Sequence, residues 1–413
     1  MSFTNRINIS FLAKAFLFLS CFEELLKGVR FGASSIKYLL LFAMIITYVF
    51  SKNHHIKKEP IFYFIPFYFY FGICFFFDFS SMGKENLAFI GKILLLPIWA
   101  LIINKFKVFW KPEDSLCSIF VHSMVAYAII NPILYFVHLP IWNDSFHTYW
   151  GRISVGYPTV DAILIALALI CIFFNPKLNF GNLRKIVYIT ILCLSIGIMA
   201  SGSGMVYLFL IFAVVLFRRK KLSESASLIT SITILIFLAG GILTYLSIKN
   251  PELTENLLAQ VENRIEIIVK GQSDGASLNV NTIDIRKQEF DFAKKLYLDN
   301  HPVKEFFGAG FTPVTRSSAK GAQVFIESQY HFNMFCLGYL GMSLYILFFV
   351  IFQLKIFSWF WKKNSNSFWM YTLINAVFSL GASMTLVLLA WGIIVIYVYF
   401  VHLAYIDHKN NNT

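Results

Sequence analysis

Long apolar segments follow one another along almost the whole chain, and this pattern restricts the fold more than any single motif does. About twelve of them reach or approach the length of about 20 residues that a helix needs to cross a bilayer. The chain is 58% hydrophobic and only 14% charged, and a water-soluble fold cannot bury that much apolar surface. The sequence therefore predicts an all-α polytopic membrane protein with about twelve transmembrane helices.

Short polar loops and one long polar insert separate the predicted crossings. The crossings lie at 8–26, 34–51, 61–77, 86–104, 116–137, 159–174, 186–200, 204–217, 226–247, 330–353, 368–385 and 387–405. Lys14 interrupts the first segment, so this segment either crosses the bilayer or lies at its interface. The chain is thus divided into 1–247 with nine crossings, the insert 248–329, and 330–413 with three crossings and the C-terminus.

Basic residues in alternate short loops give the orientation, because Lys and Arg near helix ends resist translocation. One set of loops carries sixteen of them: Lys52, Lys57, Lys58, Lys105, Lys107, Lys111, Lys177, Arg184, Lys185, Arg218, Arg219, Lys220, Lys221, Lys355, Lys362 and Lys363. The other short loops and their edges carry five: Lys27, Arg30, Lys37, Lys84 and Arg152. The first set is predicted to be cytoplasmic, so the insert faces outward and is periplasmic in a bacterium.

The net charge of +13 does not indicate nucleic-acid binding, because its distribution follows the membrane topology. The insert holds ten basic and eleven acidic residues, so its net charge is −1 and the rest of the chain carries +14. The six cysteines lie in apolar segments without paired spacing, which indicates buried thiols. The sequence contains no metal-ligand motif, Gly-rich phosphate loop or serine-nucleophile elbow.

The insert is predicted to be folded rather than a linker. Pro251 opens an amphipathic helix whose apolar positions are Leu253, Leu257, Val261, Ile265 and Ile268. A second helix is predicted after Asn281 and before His301, with the apolar positions Ile283, Phe290, Ala293 and Tyr297. A tight turn at Gly308, Ala309, Gly310 and Phe311 follows at the mouth of the helix bundle.

Four arginines lie on the predicted outward surface: Arg152 before the sixth crossing, and Arg264, Arg286 and Arg316 in the insert. A guanidinium group binds two phosphate oxygens at once and keeps its charge, so such a cluster would suit a diphosphate. The alternative is an ordinary solvated charge, which is the commoner case for a surface arginine. Arg152 is the strongest candidate, because Tyr157 and Asp161 follow it at the start of a helix.

Glu327 stands just before the tenth crossing and is the candidate general base. Poor solvation at a membrane interface raises the pKa of carboxyl groups in general, which suits such a group to accept a proton from a sugar hydroxyl. An acid that only stabilises the helix dipole is an equally good interpretation of this position. His331, one turn later, is a weaker candidate, since a lone histidine there is more often a packing residue.

Together these residues resemble the superfamily of O-antigen polymerases and O-antigen ligases, bacterial inner-membrane enzymes that transfer lipid-linked glycans. The resemblance covers about residues 145–345 and includes the long outward loop late in the chain. It rests on three pieces: Arg152 through Asp161; the run Arg286, Phe290, Ala293, Pro302, Gly308 and Gly310; and Glu327-Ser328 followed by Gly338-Tyr339-Leu340-Gly341. Each piece is loose by itself, and the resemblance rests on the order and spacing of the three together.

Two departures from the family pattern bear on the subfamily. Ligases typically carry His followed by Asn, Ser or Gln at the helix start where this chain has Glu327 and Ser328, which favours a polymerase. The family often opens the eighth crossing with Ser-Arg, whereas this chain has Ser201, Gly202, Ser203 and Gly204. One expected cation is therefore missing, and the loop arginines would have to bind the phosphate.

The resemblance implies a GT-C-like architecture and a metal-independent glycosyltransferase without a cofactor. The implied reaction joins undecaprenyl-pyrophosphate-linked repeat units into a surface polysaccharide at the outer leaflet of the inner membrane. Glu327, Arg152 and Arg286 would be catalytic. The implied substrate-binding residues are Arg264, Arg316, Asp161, His331 and Tyr157. The implied partners are the lipid-linked repeat units, the lipid bilayer, a chain-length regulator and a flippase, with no nucleic acid.

Two other functions stay open on the sequence. An O-antigen ligase would use the same chemistry and differ in its acceptor. A flippase or transporter of lipid-linked oligosaccharides would need polar, discontinuous crossings around a midplane cavity. Few ionisable residues lie at mid-membrane depth, chiefly Lys92 and Lys14, and this favours the transferase.

Overall fold

The computed structural model of the protein is built from α-helices, and no β-strand occurs among the residues that it describes. Those residues are 9–29, 35–50, 60–79, 87–105, 116–137, 153–175, 177–218, 241, 247–270, 282–299, 301–315, 326–361 and 365–410. The prediction of an all-α protein is therefore confirmed.

The helices follow the predicted apolar segments closely. The first nine are α1 (Ile9–Cys21), α2 (Glu23–Gly28), α3 (Ile36–Phe50), α4 (Ile65–Phe79), α5 (Leu87–Lys105), α6 (Leu116–Phe136), α7 (Pro158–Phe174), α8 (Asn182–Ile198) and α9 (Gly202–Phe217). The remaining helices are α10 (Pro251–Lys270), α11 (Thr282–Tyr297), α12 (Pro302–Phe307), α13 (Thr312–Thr315), α14 (Gln329–Phe360), α15 (Ser365–Met384) and α16 (Trp391–Asn410). A short 3₁₀ helix, Pro60–Phe64, leads into α4. The ninth predicted crossing, 226–247, lies almost wholly outside the described residues.

Three of the described helices, α6, α14 and α16, are long and apolar enough to cross a membrane. Six shorter apolar stretches, of 10–17 residues, lie in α1, α3, α5, α7 and α9 and across the start of α4. These helices indicate a membrane protein. Three points remain predictions: the number of crossings, which membrane the protein occupies, and the side on which each loop lies.

The chain forms two compact units, and neither is continuous in sequence. Unit 1 comprises Met1–Asn53 and Phe106–Asn279, and unit 2 comprises His54–Lys105 and Val280–Thr413. The polar insert contributes to both, because α10 belongs to unit 1 whereas α11, α12 and α13 belong to unit 2.

In unit 1, α6 and α7 form the centre of the helix packing. Helix α6 contacts α1, α7 and α8, and α7 also contacts α8 and α9. Helix α7 is apolar on all sides and buried along nearly its whole length, as expected for a helix surrounded by others. Gly204 lets α9 approach closely, since a Cβ atom at this position would lie 2.7 Å from the Ile196 side chain.

The amphipathic helix α10 packs on unit 1 through the apolar positions predicted from the sequence. Leu257 is buried against Ile153 and Ala200, and Leu253 packs beside it. The helix and its apolar face are thus confirmed at these positions, and the face lies on the helix bundle.

Unit 2 is built around α14, which contacts α4, α11, α12, α15 and α16. An aromatic cluster fills the space between α14 and the start of α4. The ring centroids of Phe64 and Phe348 are 4.1 Å apart, and those of Phe67 and Tyr345 are 5.4 Å apart. Helix α5 packs on α16, where the indole nitrogen of Trp99 donates to the carbonyl oxygen of Val395 at 3.0 Å.

A chain of polar side chains links α14, α15 and α16 inside unit 2. Gln353 donates to the Thr372 hydroxyl at 3.1 Å and accepts from the Asn375 amide at 3.2 Å. Tyr397 donates to the Asn375 carbonyl oxygen at 2.9 Å, and its ring stacks on Phe378 with centroids 3.8 Å apart. Such hydrogen bonds between apolar helices help to determine which faces of the helices meet.

Removing the Tyr397 hydroxyl should weaken unit 2. Tyr397→Phe keeps the stacking on Phe378 but deprives Asn375 of a donor, so the free energy of unfolding should fall by about 1 kcal/mol. Equilibrium unfolding in mixed micelles measures this change. Tyr339→Phe, at an exposed tyrosine, is the matched control, and an equal loss in both variants would contradict the prediction.

Candidate functional site

The insert helix α11 packs on the beginning of α14 in unit 2. The Phe290 ring stacks on the His331 ring, with centroids 4.7 Å apart and planes inclined by 14°. Tyr297 meets Phe335 edge-on at 5.8 Å, and Ala293 between them is fully buried. The contact face is therefore the one predicted from Phe290, Ala293 and Tyr297.

The two ring contacts set the register between these helices. Moving from Phe290 to Tyr297 on α11 corresponds to moving from His331 to Phe335 on α14, so the helices run in the same direction. Arg286 lies one turn before Phe290 within α11. Glu327 is four residues before His331 but outside the helix, because it precedes the N-cap residue Ser328, whose backbone is extended. Arg286 and Glu327 therefore both lie on the N-terminal side of the contact between the Phe290 and His331 rings.

The start of α14 is held firmly just after Glu327. The Ser328 hydroxyl caps the helix by accepting from the His331 amide at 3.5 Å, and it lies 3.3 Å from the Ala382 carbonyl oxygen. The buried Gln329 side chain accepts from the Leu388 amide at 3.0 Å. Glu327 itself is half-buried. The predicted helix start at this position is confirmed.

The predicted glycine turn binds the first part of α14 through its backbone. Gly308 and Gly310 have φ angles of +97° and +81°, which a glycine adopts without strain. The amide of Ala309 donates to the Phe335 carbonyl oxygen at 2.7 Å, and that of Gly310 donates to the Cys336 carbonyl oxygen at 3.2 Å. The turn therefore uses carbonyl groups that an unbroken helix would keep for itself.

Helix α14 is interrupted at Gly338, where φ is 66° and ψ is −168°. A Cβ atom at Gly338 would lie 2.4 Å from the Phe306 carbonyl oxygen, and one at Gly308 would lie 2.2 Å from the Cys336 carbonyl oxygen. The Tyr70 hydroxyl lies between the two strips of backbone, 2.8 Å from the Phe307 carbonyl oxygen and 3.1 Å from that of Leu337. The sequence indicated neither this interruption nor the role of Tyr70.

Adding one methyl group at Gly308 should detach the turn from α14. Gly308→Ala combines a strained φ angle with contact against rigid backbone, so it should lower the free energy of unfolding by at least about 2 kcal/mol. Limited proteolysis within 301–315 and unfolding in micelles measure the effect. Gly72→Ala is the control, because nothing lies within 4 Å of its added methyl group. Equal behaviour of the two variants would contradict the prediction.

A second polar group lies in unit 1 at the start of α7. Asp161 is buried in the first turn of this helix, and Tyr157 is its N-cap residue. A Cβ atom on Gly156 would lie 3.7 Å from both the Asp161 carboxylate and the Tyr127 hydroxyl. The Asn131 side chain donates to that hydroxyl at 3.1 Å and accepts from the Val155 amide at 2.7 Å. Asp161 and Tyr157 therefore lie in an ordered, enclosed part of unit 1.

Ion pairs within α2 and between α2 and α3 lie beside this group. Glu24 is the closest of these residues, since a Cβ atom added to Gly156 would lie 3.0 Å from the Cβ atom of Glu24. Lys37 donates to Glu23 at 3.0 Å, and both side chains are at most 4% exposed. Lys27 contacts Glu24 at 2.5 Å and Glu23 at 3.5 Å. Burial disfavours the Lys27 ammonium, but the two carboxylates outweigh burial and raise the pKa of Lys27 above its ordinary value.

Removing one charge of the buried Lys37–Glu23 ion pair should destabilise the protein more than removing both charges. Glu23→Gln removes a carboxylate from the buried Lys37 ammonium, so the free energy of unfolding should fall by about 3–5 kcal/mol. The double variant Glu23→Gln with Lys37→Met removes both charges and should recover most of the loss. Unfolding in mixed micelles tests this, and a double variant no more stable than Glu23→Gln would contradict the expectation.

The structure describes the remaining predicted site residues only in part. Arg264 lies in α10 and Arg286 in α11, and their side chains are outside the described set. Arg152 and Arg316 lie outside the described residues altogether. Since Arg152 belongs to unit 1 and Arg286 to unit 2, the convergence of these two arginines stays a prediction.

Comparison with known proteins adds no relative: no family model matches this chain, and no curated protein matches it. Within the described residues, no group of three or more His, Cys, Asp or Glu side chains is arranged to hold a metal ion.

Proposed function

We propose that this protein is a glycosyltransferase that polymerises oligosaccharide repeat units carried on undecaprenyl pyrophosphate, in the manner of an O-antigen polymerase. The proposal places it in the bacterial inner membrane, with the insert in the periplasm. One observation supports it above the others: α11 packs on the start of α14 through the Phe290 and His331 rings. Arg286 and Glu327 each precede this contact by four residues in the chain. The transfer requires a cation and a carboxylate close together, and in the proposal these two residues supply them.

The reaction needs a base and a group that stabilises negative charge. A hydroxyl oxygen of the acceptor sugar attacks C1 of the donor sugar, and its proton passes to the Glu327 carboxylate. The bond between C1 and the diphosphate oxygen breaks, and undecaprenyl pyrophosphate leaves with the electron pair. Arg286 stabilises the charge that develops on the diphosphate. Pyrophosphate is already a good leaving group, so this chemistry proceeds without a metal.

The surroundings of Glu327 suit this role. The Ser328 cap and the Gln329 bonds hold the backbone next to Glu327 in one conformation, so the carboxylate is attached to a rigid support. The Phe290 stack on His331 ties α11 to the same support. His331 is therefore assigned first to positioning α11, and its contact with substrate is a further part of the proposal.

The other predicted site residues have supporting roles in the proposal. Arg152, Arg264 and Arg316 would neutralise the diphosphates of the two lipid-linked substrates. Asp161 and Tyr157 would contribute to substrate binding near Arg152. Asn131 orders the chain between Arg152 and Tyr157 by two hydrogen bonds to Val155, at 2.7 and 3.0 Å. A chain-length regulator and a flippase are the expected protein partners.

The direct test is polymerisation by purified protein in the presence of a single defined lipid-linked repeat unit. Glu327→Gln and Arg286→Ala should each reduce the rate by about 10²–10⁴, as removal of a general base or a charge-stabilising group usually does. Asp291→Asn and Lys287→Ala, exposed neighbours on α11, are the matched controls and should keep the rate. Full activity of Arg286→Ala would overturn the proposed site.

Lipopolysaccharide from cells that lack the protein separates the three functions considered. Loss of a polymerase leaves single repeat units on the lipid core, and loss of a ligase leaves none. Loss of a flippase leaves repeat units on the inner face of the membrane. Either of the last two outcomes would replace the polymerase assignment.

A further inference from the structure

The insert exposes a group of large apolar side chains at α12, although its sequence is that of a polar loop. Val303 is 70% exposed, Phe306 49% and Phe307 50%. We call these three residues the α12 patch. Phe292 and Leu296 on α11 are also exposed. Exposed apolar side chains this frequent within residues 292–307 indicate a surface that contacts a membrane or another protein.

The attachment of the glycine turn to α14 determines where the α12 patch lies along the axis of α14. The turn bonds to the carbonyl groups of Phe335 and Cys336, six and seven residues after Gln329. At about 1.5 Å per residue, the attachment lies roughly 10 Å along α14 from its first residue. The part of α14 from Gly338 to Phe360 is about 33 Å long by the same rise, close to the thickness of about 30 Å of a bilayer hydrocarbon core. If this part of α14 crosses the membrane in place of the predicted segment 330–353, α12 lies at the boundary of the hydrocarbon.

The helices that contact α12 also carry exposed apolar side chains. Tyr70 joins α4 to the Phe307 backbone, and α4 bears an open apolar groove of about 560 Å³. This groove is lined by Tyr68, Phe69, Gly72, Ile73, Phe76 and Phe77. On α14, the residue directly after the interruption, Tyr339, is 49% exposed. Both helices that contact α12 therefore expose apolar side chains of their own, as helices that face lipid do.

The charged residues near the α12 patch nearly cancel, so they do not favour binding of a charged partner. Lys294, Lys295 and Lys304 are nearly balanced by Asp299 and Glu305, so the local net charge is +1. An anionic headgroup would find little net attraction here, whereas three large apolar side chains favour burial in hydrocarbon. The occupant that fits is the acyl-chain region of the bilayer.

We propose that α12 is an interfacial anchor, which inserts Val303, Phe306 and Phe307 into the leaflet nearest the insert. Under the predicted orientation this is the outer leaflet. The anchor fixes the height of the turn at Gly308 and, through α14, the height of α11 above the membrane. The inference concerns lipid contact alone and holds whether or not the protein is a polymerase.

Photo-cross-linking in nanodiscs tests the anchor. Full-length protein carrying p-benzoylphenylalanine at position 306 is reconstituted in phosphatidylcholine and irradiated, and the mass of the intact protein reveals lipid adducts. The same substitution at Asp291, an exposed polar position on α11, is the control. Position 306 should give several-fold more lipid adduct than position 291. Equal yields, or adducts to the protein's own chain in place of lipid, would overturn the anchor.

A second labelling position and a second lipid composition complete the test of the anchor. If the variant at position 306 is not monodisperse, the label at Val303 replaces it, because this side chain is the most exposed of the three. Replacing part of the phosphatidylcholine by phosphatidylglycerol should leave the adduct yield unchanged. A several-fold rise with the anionic lipid would show headgroup binding and would overturn the assignment to acyl chains.

Discussion

The position of the insert on unit 2 depends on a close approach of two strips of backbone at Gly308 and Gly338. The interruption of α14 releases carbonyl groups, and the amides of Ala309 and Gly310 take them up. Irregular backbone near a membrane is tolerated when its polar groups are satisfied within the protein. The same contact holds α12 against α14, and the ring contacts of Phe290 and Tyr297 hold α11 against the start of the same helix. The proposed site and the proposed anchor therefore both depend on α14.

The sequence could predict the parts of this fold that depend on local periodicity. Helix α7 was expected at 159–174 and is found at Pro158–Phe174. A long, almost wholly apolar segment that begins with Pro is typical of a buried or membrane-spanning helix. The apolar face of α11 was also predictable, since Phe290, Ala293 and Tyr297 recur at helical intervals. These residues lie on one face whatever they pack against, so no knowledge of the partner helix was needed.

Other features depend on pairings between distant residues, and periodicity does not encode them. The interruption at Gly338 lies in a continuous apolar segment, and only the contact with Gly308 makes it necessary. Tyr70 meets the Phe307 backbone 237 residues away. Lys27 and Lys37 are two of the five basic residues that lie on the predicted outward side. In the folded chain both are paired with carboxylates, which stabilise these cations where they lie.

The division of the chain into discontinuous units has a consequence for biogenesis. Trp99 on α5 bonds to Val395 on α16, 296 residues later, so the ribosome completes α4 and α5 long before their packing partners exist. These two helices therefore stay beside the translocon or in the lipid, without their final packing partner, until the last helix has been inserted. Premature termination anywhere before α16 would leave the Trp99 surface uncovered. Such truncated chains would be natural substrates for the proteases that remove orphaned membrane segments.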